Sequence, residues 1–416
     1  MISKPSAAEC FVYITLPGET SAVTAGKFVL SNDALGRFVY RSKYLEDPRA
    51  VEIDPVELKL SRRTYETALL NGVFGALRDA GPDYWGRRVI EKHAGKAQLG
   101  EVDYLLESAD DRAGALGFGL NTEPPAPKRK FNQMIDLEKL QTLADALIKD
   151  DLPNDPQAQQ VQDLMLLGTS MGGARPKAVV QADGALWVAK FNRADDRWNN
   201  TRVEYAMLRL ARECGLATAE SRIETVGGKD VLLVKRFDRE RTNKGYTRAR
   251  MVSGLTILRS DEAPEARQNW SYIIMVEEMR RIVEEPKKDA KELFRRVCFN
   301  ALISNIDDHP RNHAIIAKEK NWKLSPAYDL TPSTPVSLER RYLALDCGDQ
   351  GRYANAKNIL SQHARFLLER AEAEKIVNDM KAQVKATWYD TTRASGVSEK
   401  DAERIRDAFV YPGFSL

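Results

Sequence analysis

The sequence predicts an α+β protein in three parts: a small β-rich N-terminal subdomain, a mixed central lobe and a helical C-terminal lobe. Three observations carry this expectation. Runs of β-branched and aromatic residues, broken by turn residues, fill residues 11–40. Strand and helix patterns alternate between residues 177 and 234. Helical spacing of apolar residues dominates toward the C-terminus.

Composition narrows the field. The chain has 416 residues, 43% hydrophobic and 30% charged, an ordinary balance for a soluble globular protein of two or three structural units. Its net charge of +3 creates no global field that demands nucleic acid or a membrane. Cys10, Cys214, Cys298 and Cys347 lie far apart with no CxxC pair, which argues against a zinc site and fits unpaired thiols in a reducing cytoplasm. The first residues lack a basic region followed by an apolar core, so no signal peptide is expected. No apolar run approaches the length of a membrane span.

Residues 1–122 form the first expected domain. Phe11 to Pro17, Ala25 to Leu30 and Gly36 to Tyr40 read as strands, and Ser31-Asn32-Asp33 as a turn between them. Pro82-Asp83 before an amphipathic run marks a helix start. Nothing in this part suggests catalysis, so a docking or scaffold role is expected. Asn121 to Lys130 is proline-rich and then basic, and reads as a linker.

Residues 132–238 form the second expected domain. Leu137, Leu140, Leu143, Ala144 and Leu147 recur at helical spacing, and a second helix is expected from Pro156 to Leu167. Leu167-Gly168-Thr169-Ser170-Met171-Gly172-Gly173-Ala174 then offers glycines whose backbone N–H groups can approach an anion closely. It matches neither the Walker pattern nor GxGxxG, and a tight turn explains it equally. A hairpin follows, Lys177 to Gln181 and Leu186 to Phe191, which places Lys190 on a strand after the glycine loop. Such a lysine can reach phosphates as a fixed cation, or can blunt a strand edge. Val203, Ala206, Met207, Leu210 and Ala211 mark a helix. Its Glu204 can pair with Lys190 or stand as an ordinary exposed side chain. A second hairpin, Ser221 to Val234, exits through Lys235-Arg236-Phe237-Asp238-Arg239. An exit strand of this kind can offer backbone groups to an adenine edge.

Residues 239–416 form the third. Basic residues from Arg236 to Arg250 read as a solvated loop between two strands. Trp270, Ile273, Ile274, Val276, Met279 and Ile282 mark one helix, and Leu293, Val297, Ala301 and Leu302 a longer one. The longer helix leads into Ser304-Asn305-Ile306-Asp307-Asp308-His309-Pro310-Arg311-Asn312-His313, which holds two of the chain's four histidines. A hairpin is expected over His313 to Leu324, and then Tyr328-Asp329-Leu330 brings a third carboxylate. A loop with Asp and Asn, a hairpin and a later Asp is what phosphoryl transfer requires: one Asp takes or orients the hydroxyl proton, while the Asn and later Asp hold magnesium. Asn, Asp and Pro also build plain polar turns. Helices are expected around residues 364–377, 380–388 and 400–409.

The order of these parts resembles the HipA family of bacterial serine/threonine protein kinases, the toxins of HipA–HipB toxin–antitoxin modules. Five segments carry the resemblance: Gly72 to Asp79 with Pro82 to Gly86, Ser170 to Lys177, Arg236 to Arg239, Asn305 to Asn312, and Ala327 to Pro332. The resemblance implies a protein-kinase-related fold, ATP and Mg²⁺ as cofactors, and Asp307 rather than Asp308 as the catalytic residue. It implies Asn312 and Asp329 as magnesium ligands and Lys190 as the nucleotide lysine. Backbone at Lys235 and Phe237 would meet adenine; family members often carry Glu where Lys235 stands, a change that a backbone contact tolerates. Asp238, as a ribose contact, and His309 would lie near the nucleotide, with Ser170, Gly172 and Gly173 in the glycine loop. Ser170 would also be the site of autophosphorylation, where the added charge repels ATP phosphates.

The implied function is phosphorylation of a serine or threonine in a translation component such as an aminoacyl-tRNA synthetase. No helix-turn-helix is evident, so DNA would be reached only through a small HipB-like antitoxin. Two other classes stay open: a small-molecule or lipid kinase on the same scaffold, and a non-enzymatic subunit of a DNA-bound repressor.

Overall fold

A computed structural model describes residues 8–95, 99–127, 131–148, 175–333 and 339–415. In chain order the principal elements are β1 (Glu9–Thr15), β2 (Ala22–Leu30), β3 (Gly36–Tyr40), β4 (Tyr65–Thr67), α1 (Gly75–Asp79), α2 (Tyr84–Ala94), α3 (Glu101–Glu107), β5 (Leu116–Gly119), β6 (Asn132–Gln133) and α4 (Leu137–Ile148). Then come β7 (Lys177–Ala182), β8 (Ala185–Phe191), α5 (Asn200–Glu213), β9 (Ser221–Val226), β10 (Lys229–Lys235), β11 (Arg239–Thr242), β12 (Gly245–Arg248), β13 (Arg250–Ser253) and α6 (Gly254–Leu258). The chain ends with α7 (Tyr272–Met279), α8 (Pro286–Leu302), β14 (Ala314–Ala317), β15 (Lys323–Leu324), α9 (Ala356–Ser361), α10 (Arg370–Ala394) and α11 (Glu399–Ile405). Two compact units result. One comprises Met1–Arg193, Lys235–Val252 and Ile316–Asn321; the other comprises Ala194–Val234, Ser253–Ile315 and Trp322–Leu416.

In the first unit, a five-stranded antiparallel sheet has the order β4-β3-β2-β1-β5. Alternation along β3 buries Phe38 and Tyr40 and leaves Arg37 and Val39 outside. Phe28, Phe38 and Phe74 pack edge to face over this sheet. The expected linker begins on it: Tyr13 Oη donates to Asn121 O, and Thr24 Oγ1 to Thr122 O. Asp83 caps α2 by accepting from Gly86 N at 2.6 Å, and Gly95 ends the helix in the left-handed region. β6 pairs parallel with β7, and β7 antiparallel with β8, placing Lys177 opposite Lys190.

The basic run after residue 235 corrects an expectation. Only its tip is solvated, with Arg241 and Lys244 exposed: β11 and β12 pair as a hairpin, and Arg236, Arg239 and Arg250 are buried. Their charges are satisfied internally. Arg250 donates to Glu52 Oε1 at 2.8 Å and to the carbonyls of Glu319 and Lys320.

In the second unit, Asn199 caps α5, whose inner face buries Val203, Glu204, Ala206, Met207, Leu210 and Ala211. Glu204 is therefore no ordinary exposed side chain. β9 and β10 form the expected hairpin. Trp270 lies outside α7, because Ser271 caps that helix by accepting from Ile273 N and Ile274 N. The two helical patterns at 364–377 and 380–388 differ from the structure: a single 25-residue helix, α10, runs through both. Asn378 and Asp379 are weak helix formers, but neither glycine nor proline interrupts the run. Residues 363–366 instead form a separate 3₁₀ turn, closed by Leu367 at φ 58°. The helix expected from Pro156 to Leu167 lies outside the described residues. All four cysteines are free thiols. Among the described residues, no helix is long and apolar enough to cross a membrane.

Candidate active site

The central loop belongs to the second unit. Helix α8 starts at Pro286, whose missing N–H costs nothing in a first turn, and buries Leu293, Val297, Ala301 and Leu302. The chain leaves it through Ser304, at φ 54°, whose hydroxyl donates to Ala408 O at 2.6 Å. A 3₁₀ turn, Pro310–Asn312, then precedes β14. Gly254 supports this turn: its N–H donates to His313 O at 2.7 Å, and a Cβ there would sit 2.6 Å from Pro310 O. Only glycine fits that approach.

The two adjacent aspartates part company. Asp307 is exposed and Asp308 is buried. The Asp307 carbonyl accepts from His309 N at 2.8 Å and from Asn312 Nδ2 at 3.3 Å, so backbone and amide fix the loop while the Asp307 carboxyl stands outside it. Loss of hydration around that carboxyl raises its pKa; the nearby charges of Asp329 and Asp308 raise it further, and His309 opposes them. Asp308 instead accepts from Tyr272 Oη, from Asn300 Nδ2 at 2.6 Å and from His313 Nε2 at 2.7 Å.

The segment carrying Asp329 is tied to the loop on both sides. Tyr328 Oη donates to Arg311 O at 2.7 Å, and Ser333 N to Ser304 O at 3.0 Å. Asp329 has φ 59°, a left-handed conformation that Asp tolerates better than most residues. Asp307, His309, Asn312 and Asp329 are thus gathered by one loop and one returning segment. His309 is half-buried, and its Nδ1 has no hydrogen-bond partner. Asn312 is buried, and its Nδ2 is used by Asp307 O, which leaves the amide oxygen as the ligand atom.

The remaining site residues lie in the first unit or outside the described residues. Lys190 sits half-buried on β8. Arg236 N donates to Leu186 O at 2.9 Å, so strand alternation turns the backbone groups of Lys235 and Phe237 to the other side. The Lys235 ammonium lies 5.8 Å from the centre of the Trp187 ring. Asp238, the expected ribose contact, lies in a buried ion cluster. Its carboxylate is buried and engaged by Arg236 at 2.8 Å, Arg239 at 2.7 Å and Gly114 N at 2.9 Å. Its burial alone would raise its pKa, but the two guanidiniums outweigh this and hold it well below the usual carboxylate range. Arg236 also bonds Asp111. Ser170, Gly172 and Gly173 lie outside the described residues.

Sequence reasoning missed the Asp308 partners Tyr272, Asn300 and His313. The clustering of rare histidines marked this loop without showing that His313 faces Asp308. It also missed Asp111, for which an acidic residue between two turn-rich segments gives no signal.

Comparison with known proteins resolves the family. Residues 169–388 match the HipA-like C-terminal domain, and residues 20–119 match the HipA N-terminal domain. The chain belongs to the HipA family. Two further proteins are similar in sequence. "Putative kinase Y4mE" of Sinorhizobium fredii is 25% identical over 316 residues, 70% of this chain and 71% of that protein. "Putative kinase" of Haemophilus influenzae is 24% identical over 177 residues, 39% of this chain and 51% of that protein. In fold, the chain is similar to one in the Shewanella oneidensis MR-1 complex of the toxin–antitoxin proteins HipA and HipB with operator DNA. The TM-score is 0.70 at 15% identity, covering 95% of each chain. The α+β, HipA-like fold expected from the sequence is the fold observed.

Proposed function

We propose that this HipA-family chain is an ATP- and magnesium-dependent protein kinase that phosphorylates serine or threonine. The observation that carries the reading is the pairing of an exposed Asp307 with Asn312 and Asp329, held together by Tyr328–Arg311 and Ser333–Ser304 bonds. Two relatives named as kinases support it.

The substrate hydroxyl oxygen bonds to the γ-phosphorus as the bond from that phosphorus to the β–γ bridging oxygen breaks, and ADP leaves. Asp307 orients the hydroxyl and accepts its proton, a role that its raised pKa favours. Oxygen donors from one amide and one carboxylate suit a hard cation. Among the described residues no cluster of three or more His, Cys, Asp or Glu forms a protein cage. Magnesium here would therefore be held by Asn312 and Asp329 together with phosphate and water oxygens, and would screen phosphate charge. Lys190 neutralises phosphates as a fixed cation, the backbone at Lys235 and Phe237 meets adenine, and Ser170 is the autophosphorylated residue.

The protein substrate is a translation component such as an aminoacyl-tRNA synthetase, and its phosphorylation arrests growth. A small HipB-like DNA-binding protein is the antitoxin partner and the only link to DNA. The test is incubation of the purified chain with labelled ATP and magnesium. Label on Ser170 and on a protein target, absent in Asp307→Asn, is the expected result. Label confined to a small molecule or lipid, or none at all, overturns the reading.

A further inference from the structure

The second aspartate of the loop has no part in the reaction described above, yet its side chain is buried and bonded three times. Asp308 is 1% exposed, and three donors converge on a single carboxylate oxygen, Oδ2. They come from separate parts of the second unit: Tyr272 at the start of α7, Asn300 in the last turns of α8, and His313 just before β14. Burial pushes the Tyr272 phenol well above its ordinary pKa, aided by the Asp308 charge, so it remains a donor. His313 Nδ1 is buried with no partner, which fits an imidazole whose proton sits on Nε2 and faces Asp308. The Tyr272 ring meets the His313 ring edge-on at 5.5 Å. Asn300 reaches further into the loop, accepting from Asn305 Nδ2 at 3.1 Å and, through its backbone carbonyl, from Asn305 N at 2.8 Å.

We infer that Asp308 is a positioning residue: a buried anion that clamps α7, α8 and the loop together and thereby sets where the neighbouring Asp307 stands. The chemistry requires a carboxylate. Three donors on one oxygen are matched by an anionic acceptor, and each charge-assisted bond is stronger than a neutral one. An amide at 308 would offer a weaker oxygen and bring two N–H groups among donors. Among the described residues Asp307 is held through its backbone carbonyl, so displacement of its neighbour moves it directly. The catalytic consequence rests on the kinase reading; the geometric one does not.

The test compares wild type with Asp308→Asn and Tyr272→Phe, which deletes one hydroxyl and keeps the ring. Amide hydrogen exchange is read at residues 304–313, with α5 and the N-terminal sheet as internal controls. Both variants are expected to speed exchange in the loop about tenfold or more with the controls unchanged, as local opening requires. Turnover per folded molecule is expected to fall about 100-fold in Asp308→Asn and about fivefold in Tyr272→Phe, with KM for ATP within about threefold of wild type. If Asp308→Asn does not fold, Tyr272→Phe decides. Loop exchange unchanged in Tyr272→Phe overturns the inference, as does lower stability with unaltered turnover per folded molecule. A wild type that shows no ATP turnover overturns the kinase reading instead, and the exchange data still decide the role of Asp308.

Discussion

Lys177 Nζ lies 2.7 Å from Asp83 Oδ2, with both side chains almost fully buried. Asp83 uses its other oxygen to cap α2, so one carboxylate starts a helix and neutralises a strand of the same unit. Removing either residue breaks this buried ion pair. Lys177→Met or Asp83→Leu should each lower unfolding stability by about 3–5 kcal/mol, while the double variant should recover much of that loss. A double-mutant cycle in denaturant measures it, and additive single effects would refute the coupling.

Asp307→Asn should leave nucleotide binding near wild type and reduce phosphoryl transfer about 10²–10⁴-fold, the usual contribution of a positioned acid–base group. The pH profile follows from the raised pKa of Asp307. The active form is the carboxylate, so turnover should fall as pH drops through a pKa above the ordinary aspartate value. Titrating binding and rate on the same samples separates the two effects.

Asn312→Ala and Asp329→Ala should each raise the magnesium concentration needed for half-maximal rate. Saturating magnesium should rescue Asn312→Ala more fully than Asp329→Ala, because the carboxylate supplies charge and the amide does not. Equal magnesium dependence in all three proteins would remove these residues from the metal.

Gly254→Ala should disturb the loop from behind. The new Cβ would meet Pro310 O at 2.6 Å and Met275 Sδ at 3.0 Å, and a backbone carbonyl cannot step aside cheaply. Overpacking of this kind costs about 1–3 kcal/mol, visible as a lower midpoint of unfolding.

Asp54 is buried in the first unit, where its Oδ1 accepts from Val56 N at 2.7 Å and Glu57 N at 2.6 Å. Burial outweighs those bonds and pushes its carboxyl pKa up to about 7. The folded state then holds a proton that the unfolded chain releases near pH 4. Stability from this group is full below that pH and declines as pH rises toward 7. Asp54→Asn should flatten this slope in unfolding curves measured from pH 4 to 8.

Much of the candidate site's loop was legible because its residues are local in sequence. Asp307, Asn312 and Asp329 lie close in sequence, and Asp83 announces its helix by type and position. Strands β1 to β3 follow from residue pattern for the same reason. Partners joined only by the tertiary fold were not legible. Asp307 and Asp308 are identical in type, and only the arrival of Tyr272, Asn300 and His313 makes one an anchor and the other a free carboxyl. Arg236 looked solvated because its counter-ion Asp111 lies over 120 residues upstream, and Arg239 because the Arg112 carbonyl it bonds lies as far away. The burial of Asp238 was hidden for the same reason: sequence shows its arginine neighbours but not that the cluster is buried.

The discontinuous layout of the two units bears on biogenesis. The first unit draws its final piece from Ile316–Asn321, after the chain has twice left it. During synthesis from the N-terminus, that unit cannot close until Asn321 has emerged, so the strand-rich beginning must wait, partly assembled, on the ribosome.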